Sequence, residues 1–224
     1  MLLTIPDVLD ADALRHIREL LADARFQNGT LSAGREAARV KHNEEMVQDT
    51  DRYSRLNNIL MRALVNHPDY QAAVLPHRVA APYYARYTPG MTYGEHVDDP
   101  VMGPAGQRYR SDVSTTVFIS DTSDYEGGEL VIRGSFGEQR IKGEAGSAVV
   151  YPSSSLHQVA PVTAGARLVA VTWAQSMIRE PARRELLYEL SRARDGLLAR
   201  DPDSRETAWV SNSYVNLVRM WAEL

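Results

Sequence analysis

Between residues 77 and 178 the chain is a succession of short apolar or aromatic runs broken by Gly, Pro, Asp and Ser: RVAAPYYARYTPG, STTVFIS, GELVIRG, GSAVVYP, LHQVAPV and ARLVAVTWAQ. Short runs with turn signals between them indicate the strands of an antiparallel sandwich or barrel. Helical periodicity lies on either side. From Asp10, a suitable N-cap, Leu14, Ile17, Leu21 and Ala24 recur at helical spacing until Gly29. The polar stretch LSAGREAARVKHNEEM reads as a loop or edge segment, and Leu56, Ile59, Leu60, Ala63 and Leu64 predict a second helix that stops before Pro68. Downstream, Pro181 can open a helix whose apolar face is Leu186, Leu187, Leu190 and Leu197. Trp209, Val210, Leu217, Val218 and Trp221 suggest another. The expected fold class is therefore mainly β with flanking helices (α+β). It divides into an N-terminal helical flank over 1–76, a β core over 77–178 and a C-terminal helical segment over 179–224.

Composition narrows the function. The 224 residues suit one catalytic-size domain with additions, and 44% hydrophobic with 24% charged residues is ordinary for a globular protein. A net charge of -4 offers no long-range attraction to phosphate backbones, so nucleic acid is not an expected partner. The absence of cysteine excludes disulfides and thiolate metal sites, leaving His, Asp and Glu as candidate ligands. The start, MLLTIPDVLDAD, lacks a basic segment and meets Pro6 early, and no apolar run approaches membrane-spanning length. No membrane partner and a cytoplasmic location are the expectations.

Within YGEHVDDPVMG, strand alternation puts His96 and Asp98 on one side while Val97 faces the other. A third donor is available at His157. If VAPVTAGARL is a hairpin with a three-residue loop, Val162 opposes Ala166 and His157 opposes Val171. Arg167 then shares a face with His157, about 13 Å away along the strands, a gap that a small dicarboxylate could bridge. Two histidines and one carboxylate with open positions are the facial triad of non-haem Fe(II) oxygenases; zinc would fit the donors but cannot pass electrons.

The set H-V-D, a distal His 61 residues later and an Arg ten residues beyond it resembles the Fe(II)/2-oxoglutarate-dependent dioxygenases, specifically the bacterial PKHD-type hydroxylases related to prolyl and lysyl hydroxylases. ARYTPGMTYGEHVDD, SDVSTTVFISDTSDYEGGELVI, PSSSLHQVAPVTAGARL and the following W-x-Q-S-M extend the resemblance over nearly the whole chain. It implies a double-stranded β-helix core (jelly-roll, cupin-like), with His96, Asp98 and His157 as catalytic metal ligands and Arg167 pairing with the distal carboxylate of 2-oxoglutarate. Tyr87 and Trp173 match aromatic residues beside the co-substrate, although both also suit core packing. The implied reaction takes Fe(II), 2-oxoglutarate and O2, with ascorbate as auxiliary reductant, and hydroxylates a small-molecule or peptidyl substrate.

Tyr93 shares the ambiguity of Tyr87, and Asp99 is either a neighbour of the site or a turn residue before Pro100. GPAGQRYRSD, carrying Arg108, Tyr109 and Arg110, is a candidate lid, and the glycines of EGGEL serve backbone geometry. REAARVK is a weaker candidate for substrate contact. His16, His42, His67 and His77 read as structural or exposed. Two other classes compete with the enzyme. A non-catalytic cupin-like metal or small-molecule sensor would use the same barrel, but the usual H-x-H is missing and Arg167 would have no role. An interaction module would use the terminal helices, which could instead cap the core or form a homodimer contact.

Overall fold

The computed structural model describes residues 1–32, 34, 36–48 and 51–224. Two antiparallel sheets face each other among these residues. The larger runs β1 (Leu3–Ile5), β14 (Ala148–Pro152), β10 (Val113–Phe118), β17 (Arg167–Ser176), β6 (Tyr83–Tyr87), β4 (Glu44–Met46) and β2 (Phe26–Asn28), with β5 (Pro76–Val79) also paired to β17. The smaller runs β13 (Gly137–Ile141), β12 (Leu130–Gly134), β15 (Leu156–Val159), β7 (Thr92–His96) and β3 (Lys41–His42). Two ribbons complete the β structure: β11 (Tyr125–Gly127) with β16 (Val162–Gly165), and β8 (Val101–Met102) with β9 (Tyr109–Arg110). This is a double-stranded β-helix.

The larger sheet is covered on both faces, so its central strand β10 is buried along its whole length. Val113 and Val117 of β10 and Ala148 and Val150 of β14 face the helices α1 (Ala11–Ala22), α2 (Asp51–Asn66) and α3 (Pro68–Val74), packing with Ile17, Leu21, Leu56, Leu60 and Leu64. The alternate residues Phe118, Val149, Tyr151 and Val169 face the smaller sheet and meet Leu130, Ile132 and Val159. Period-two alternation thus serves two cores at once. The smaller sheet leaves room above the second core, and that room is the cavity described below.

Local chemistry sets the helix ends. Asp10 caps α1 by accepting from Ala13 N at 2.7 Å, as expected. Pro68 ends one helix but also begins α3, which the periodicity does not reveal. Proline suits a first turn because no N–H is needed there, and His67 caps it by accepting from Asp69 N at 3.3 Å.

Three expectations require correction. The VAPVTAGARL segment is not a hairpin joining β15 to β17, since those strands lie in different sheets. β16 takes a partner of its own, with Tyr125 opposite Gly165 and Glu126 opposite Ala164, so the chain crosses between sheets there. Gly127 and Gly128 both have positive φ, at 69° and 68°, and a Cβ at Gly127 would run into the carbonyl of Pro161, just before β16. In α4 (Pro181–Arg200) the buried residues are Arg184, Leu187 and Ser191, whereas Leu186 is 57% exposed. Arg184 turns inward because it donates to the carbonyls of Ile178, Arg179 and Asp112 at 2.7, 2.8 and 3.3 Å. In α5 (Arg205–Trp221), Leu217, Val218 and Trp221 pack on Ile178 and Leu187, but Trp209 points outward at 55% exposure. Among the described residues no helix is long and apolar enough to cross a membrane.

Leu60, fully buried between α2 and the larger sheet, anchors the first core. Leu60→Ala is expected to lower unfolding free energy by about 2–5 kcal/mol, read as a reduced urea midpoint with an unchanged slope.

Candidate metal centre and active site

β7 and β15 are neighbours in the smaller sheet, and their register sets His157 directly opposite His96. The two imidazoles lie 4.2 Å apart between ring centres. Asp98, two residues beyond His96, closes the triangle: Oδ1 lies 3.9 Å from His96 Nε2, and Oδ2 lies 3.9 Å from His157 Nε2. One donor atom from each residue falls within 4.8 Å of the others. The rings are oriented by the backbone. His96 Nδ1 is 2.8 Å from Gly94 O, and His157 Nδ1 is 3.0 Å from Ser155 O. A carbonyl only accepts, so each Nδ1 carries a proton and each Nε2 is the atom turned toward the shared point. Burial, and then the neighbouring His157, push the His96 pKa down to about 4, so it is neutral at pH 7. Two imidazole nitrogens and a carboxylate with only 8% side-chain exposure are a donor set that fits a divalent cation.

The three donors open onto a cavity of about 760 Å³ that Tyr87, Arg167 and Trp173 also line. Arg167 is 1% exposed, yet its Nε and Nη1 have no hydrogen-bond partner among the described residues. Its cross-strand neighbour is Tyr87, whose ring centre lies 5.1 Å from the guanidinium carbon. Gly128 gives the side chain passage, since a Cβ there would come within 3.0 Å of Arg167 Cδ. A buried guanidinium with two unpartnered nitrogens is suited to receive an anion. Trp173 lies six residues along β17 from Arg167, beside Ser114 of β10, which in turn touches Asp98. The cavity therefore has a guanidinium end and an end formed by the three candidate donors.

The sequence of residues 82–175 matches the 2OG-Fe(II) oxygenase superfamily, and residues 182–223 match the PKHD-type hydroxylase C-terminal domain. The chain is 55% identical, over the full length of both proteins, to PKHD-type hydroxylase Tgr7_2199 of Thioalkalivibrio sulfidiphilus. The chain belongs to the PKHD-type hydroxylases. A relative from Klebsiella pneumoniae is 43% identical, again over both whole chains. Among solved structures, a Pseudomonas putida prolyl-4-hydroxylase superposes with a TM-score of 0.54 at 18% identity, over 78% of this chain and 92% of that one. HygX from Streptomyces hygroscopicus, with nickel and 2-oxoglutarate bound, gives 0.52 at 14% identity over 80% and 84%. These two show the shared fold. Family membership makes this PKHD-type hydroxylase a dioxygenase, and the non-catalytic sensor loses its ground.

Other expected residues of this PKHD-type hydroxylase fall variously. Tyr93 stacks on His96 with ring centres 3.6 Å apart. Asp99 is exposed at the cavity rim. Arg108 and Tyr109 line the cavity, but Arg110 turns away to Asp112 at 2.7 Å and toward Glu223 at 3.4 Å. Ala37 and Lys41 of REAARVK reach the cavity, whereas Arg35 lies outside the described residues. His16, His42, His67 and His77 do not line the cavity.

Sequence reading misses three features. Lys41 and Glu45 form a buried pair at 2.6 Å in the cavity wall, with the Lys41 ammonium 5.2 Å from the centre of the Tyr93 ring. Their segment has no apolar period, and only burial distinguishes them from surface charges. Tyr151 lies 5.1 Å from the His157 ring and follows inward parity along GSAVVYP, a signal that was available. Ser114 looks like an unremarkable strand residue until Asp98 arrives from the other sheet.

Added Mn(II) is expected to stabilise the metal-free protein by about 2.7 kcal/mol at a hundredfold excess over Kd. A thermal melt checks this, and the increment should vanish in His157→Ala.

Proposed function

We propose that the protein hydroxylates a C–H bond of a small-molecule or peptidyl substrate, coupled to decarboxylation of 2-oxoglutarate. One O2 is consumed: one oxygen atom enters the substrate as hydroxyl and the other enters succinate as 2-oxoglutarate releases CO2. His96, Asp98 and His157 would hold Fe(II), which supplies the one-electron and O2 chemistry when bound. Arg167 would grip the far carboxylate of the co-substrate. The observation that carries this reading is the buried guanidinium, with Nε and Nη1 unpartnered, in the same cavity as the three donors.

The remaining side chains have definite tasks in this reading. Tyr87 lies against the guanidinium and limits its motion; burial pushes its phenol up to about 12, so it stays protonated and can donate to a bound carboxylate. Trp173 lines the same cavity, and its buried Nε1 has no partner among the described residues. Tyr83, Arg78, Tyr109 and the Lys41–Glu45 pair line the space left for the substrate. Enclosure matters because water competes with every polar contact inside the cavity. Ascorbate as auxiliary reductant rests on the family resemblance.

Purified protein with Fe(II) is expected to convert 2-oxoglutarate to succinate, measured by mass spectrometry. Arg167→Ala should weaken 2-oxoglutarate binding by 1.5–3 kcal/mol, about 10- to 150-fold, the range for hydrogen bonds to charged groups, with metal binding retained. Failure of the wild-type protein to bind 2-oxoglutarate at millimolar concentration with metal present would overturn the reading.

A further inference from the structure

Asp98 reaches the centre from the end of the smaller sheet, and the larger sheet meets it there. Ser114 Oγ, on β10, lies 2.5 Å from Asp98 Oδ2 and 2.8 Å from Ser153 Oγ, just beyond β14. Both serines are buried, at 0% and 2% exposure. Proton counting fixes the direction of these bonds. A ligating carboxylate is ionised and can only accept, so the single hydroxyl proton of Ser114 goes to Asp98. The bond between the serines must then run from Ser153 to Ser114. The result is a two-step relay with both protons directed toward one carboxylate oxygen, an arrangement in which each bond strengthens the next.

The relay has a rigid base. Ser153 N donates to Asp112 O at 3.1 Å, continuing the pairing of the strands. Asp112 O also accepts from Arg184 of α4, and the Asp112 carboxylate accepts from Arg110 Nε at 2.7 Å and Ser176 N at 2.9 Å. Ser114 is two residues from this node, so its hydroxyl has little freedom to follow Asp98 if the carboxylate rotates.

We propose that Ser114, backed by Ser153, is a positioning residue that retains Asp98 Oδ2 and leaves Oδ1 to bind the metal. A carboxylate can bind a cation through one oxygen or through both. Engaging Oδ2 makes Asp98 a one-point ligand and keeps another coordination position open for co-substrate. This inference rests on the metal-binding role proposed above for His96, Asp98 and His157.

The test is calorimetric titration of the full-length, metal-free protein with Mn(II), in parallel with thermal melts lacking metal. Saturable wild-type binding that Asp98→Ala abolishes establishes the underlying metal site; its absence would remove both that reading and this one. Given such binding, Ser114→Ala is expected to raise Kd about 10- to 100-fold, as loss of an outer partner typically does. Ser114→Thr, which keeps the hydroxyl, should recover most of the affinity, and Ser153→Ala should give a smaller loss. A purely structural role would lower the metal-free Tm without moving Kd. Wild-type Kd in folded Ser114→Ala overturns the proposal. Should that variant fail to fold, an unchanged Kd in Ser153→Ala overturns it instead.

Discussion

The register between β7 and β15 is the constraint on which the site depends. With His157 opposite His96, two imidazoles from distant parts of the chain share one face of the smaller sheet, and Asp98 needs only to turn in from the end of its strand. A slip of one residue would send one ring to the outer surface, because side chains alternate with period two. The register is held on both sides: β12 pairs with β15, setting Ile132 against His157, and β3 pairs with β7, setting Lys41 against Tyr93. Apolar packing between the sheets thus supplies the accuracy that the polar centre requires.

Arg167 represents the opposite choice. Placing an arginine with two free donors on a central strand works against stability, since an uncompensated buried cation costs several kcal/mol. The fold tolerates it through the Tyr87 ring beneath the guanidinium and a glycine beside its methylenes. On the proposed reading, such a side chain is ready for a dianion before the dianion arrives. Little reorganisation is then needed on binding, which is where preorganised sites gain their affinity.

Much of this is legible in the sequence, but unevenly. H-V-D stands out because alternation alone places the two donors together, and the helices α1 and α2 announce themselves by apolar spacing and, for α1, its cap. VAPVTAGARL shows the limit of local reading: its residues suit a hairpin, and only the distant Tyr125–Gly127 strand, which captures Val162–Gly165, makes it a crossing between sheets. Pairing of that kind is not encoded within either segment. Arg184 and Leu186 show a second limit, since helical period identifies a stripe but cannot foresee that an arginine will turn inward to serve three carbonyls. Lys41 and Glu45 are hidden for a similar reason: polarity suggests surface, and only the folded chain encloses them.

The contacts of Arg184 and Glu223 with the approach to β10 bear on how such proteins diverge. The terminal helices are not a cassette that could be exchanged freely among β-helix oxygenases. A transplanted pair lacking a cation at 184 or an acid at 223 would leave the Asp112 carbonyl and the Arg110 guanidinium each one partner poorer. Tail and barrel thus share partners, and a change at either end of these contacts is felt at the other.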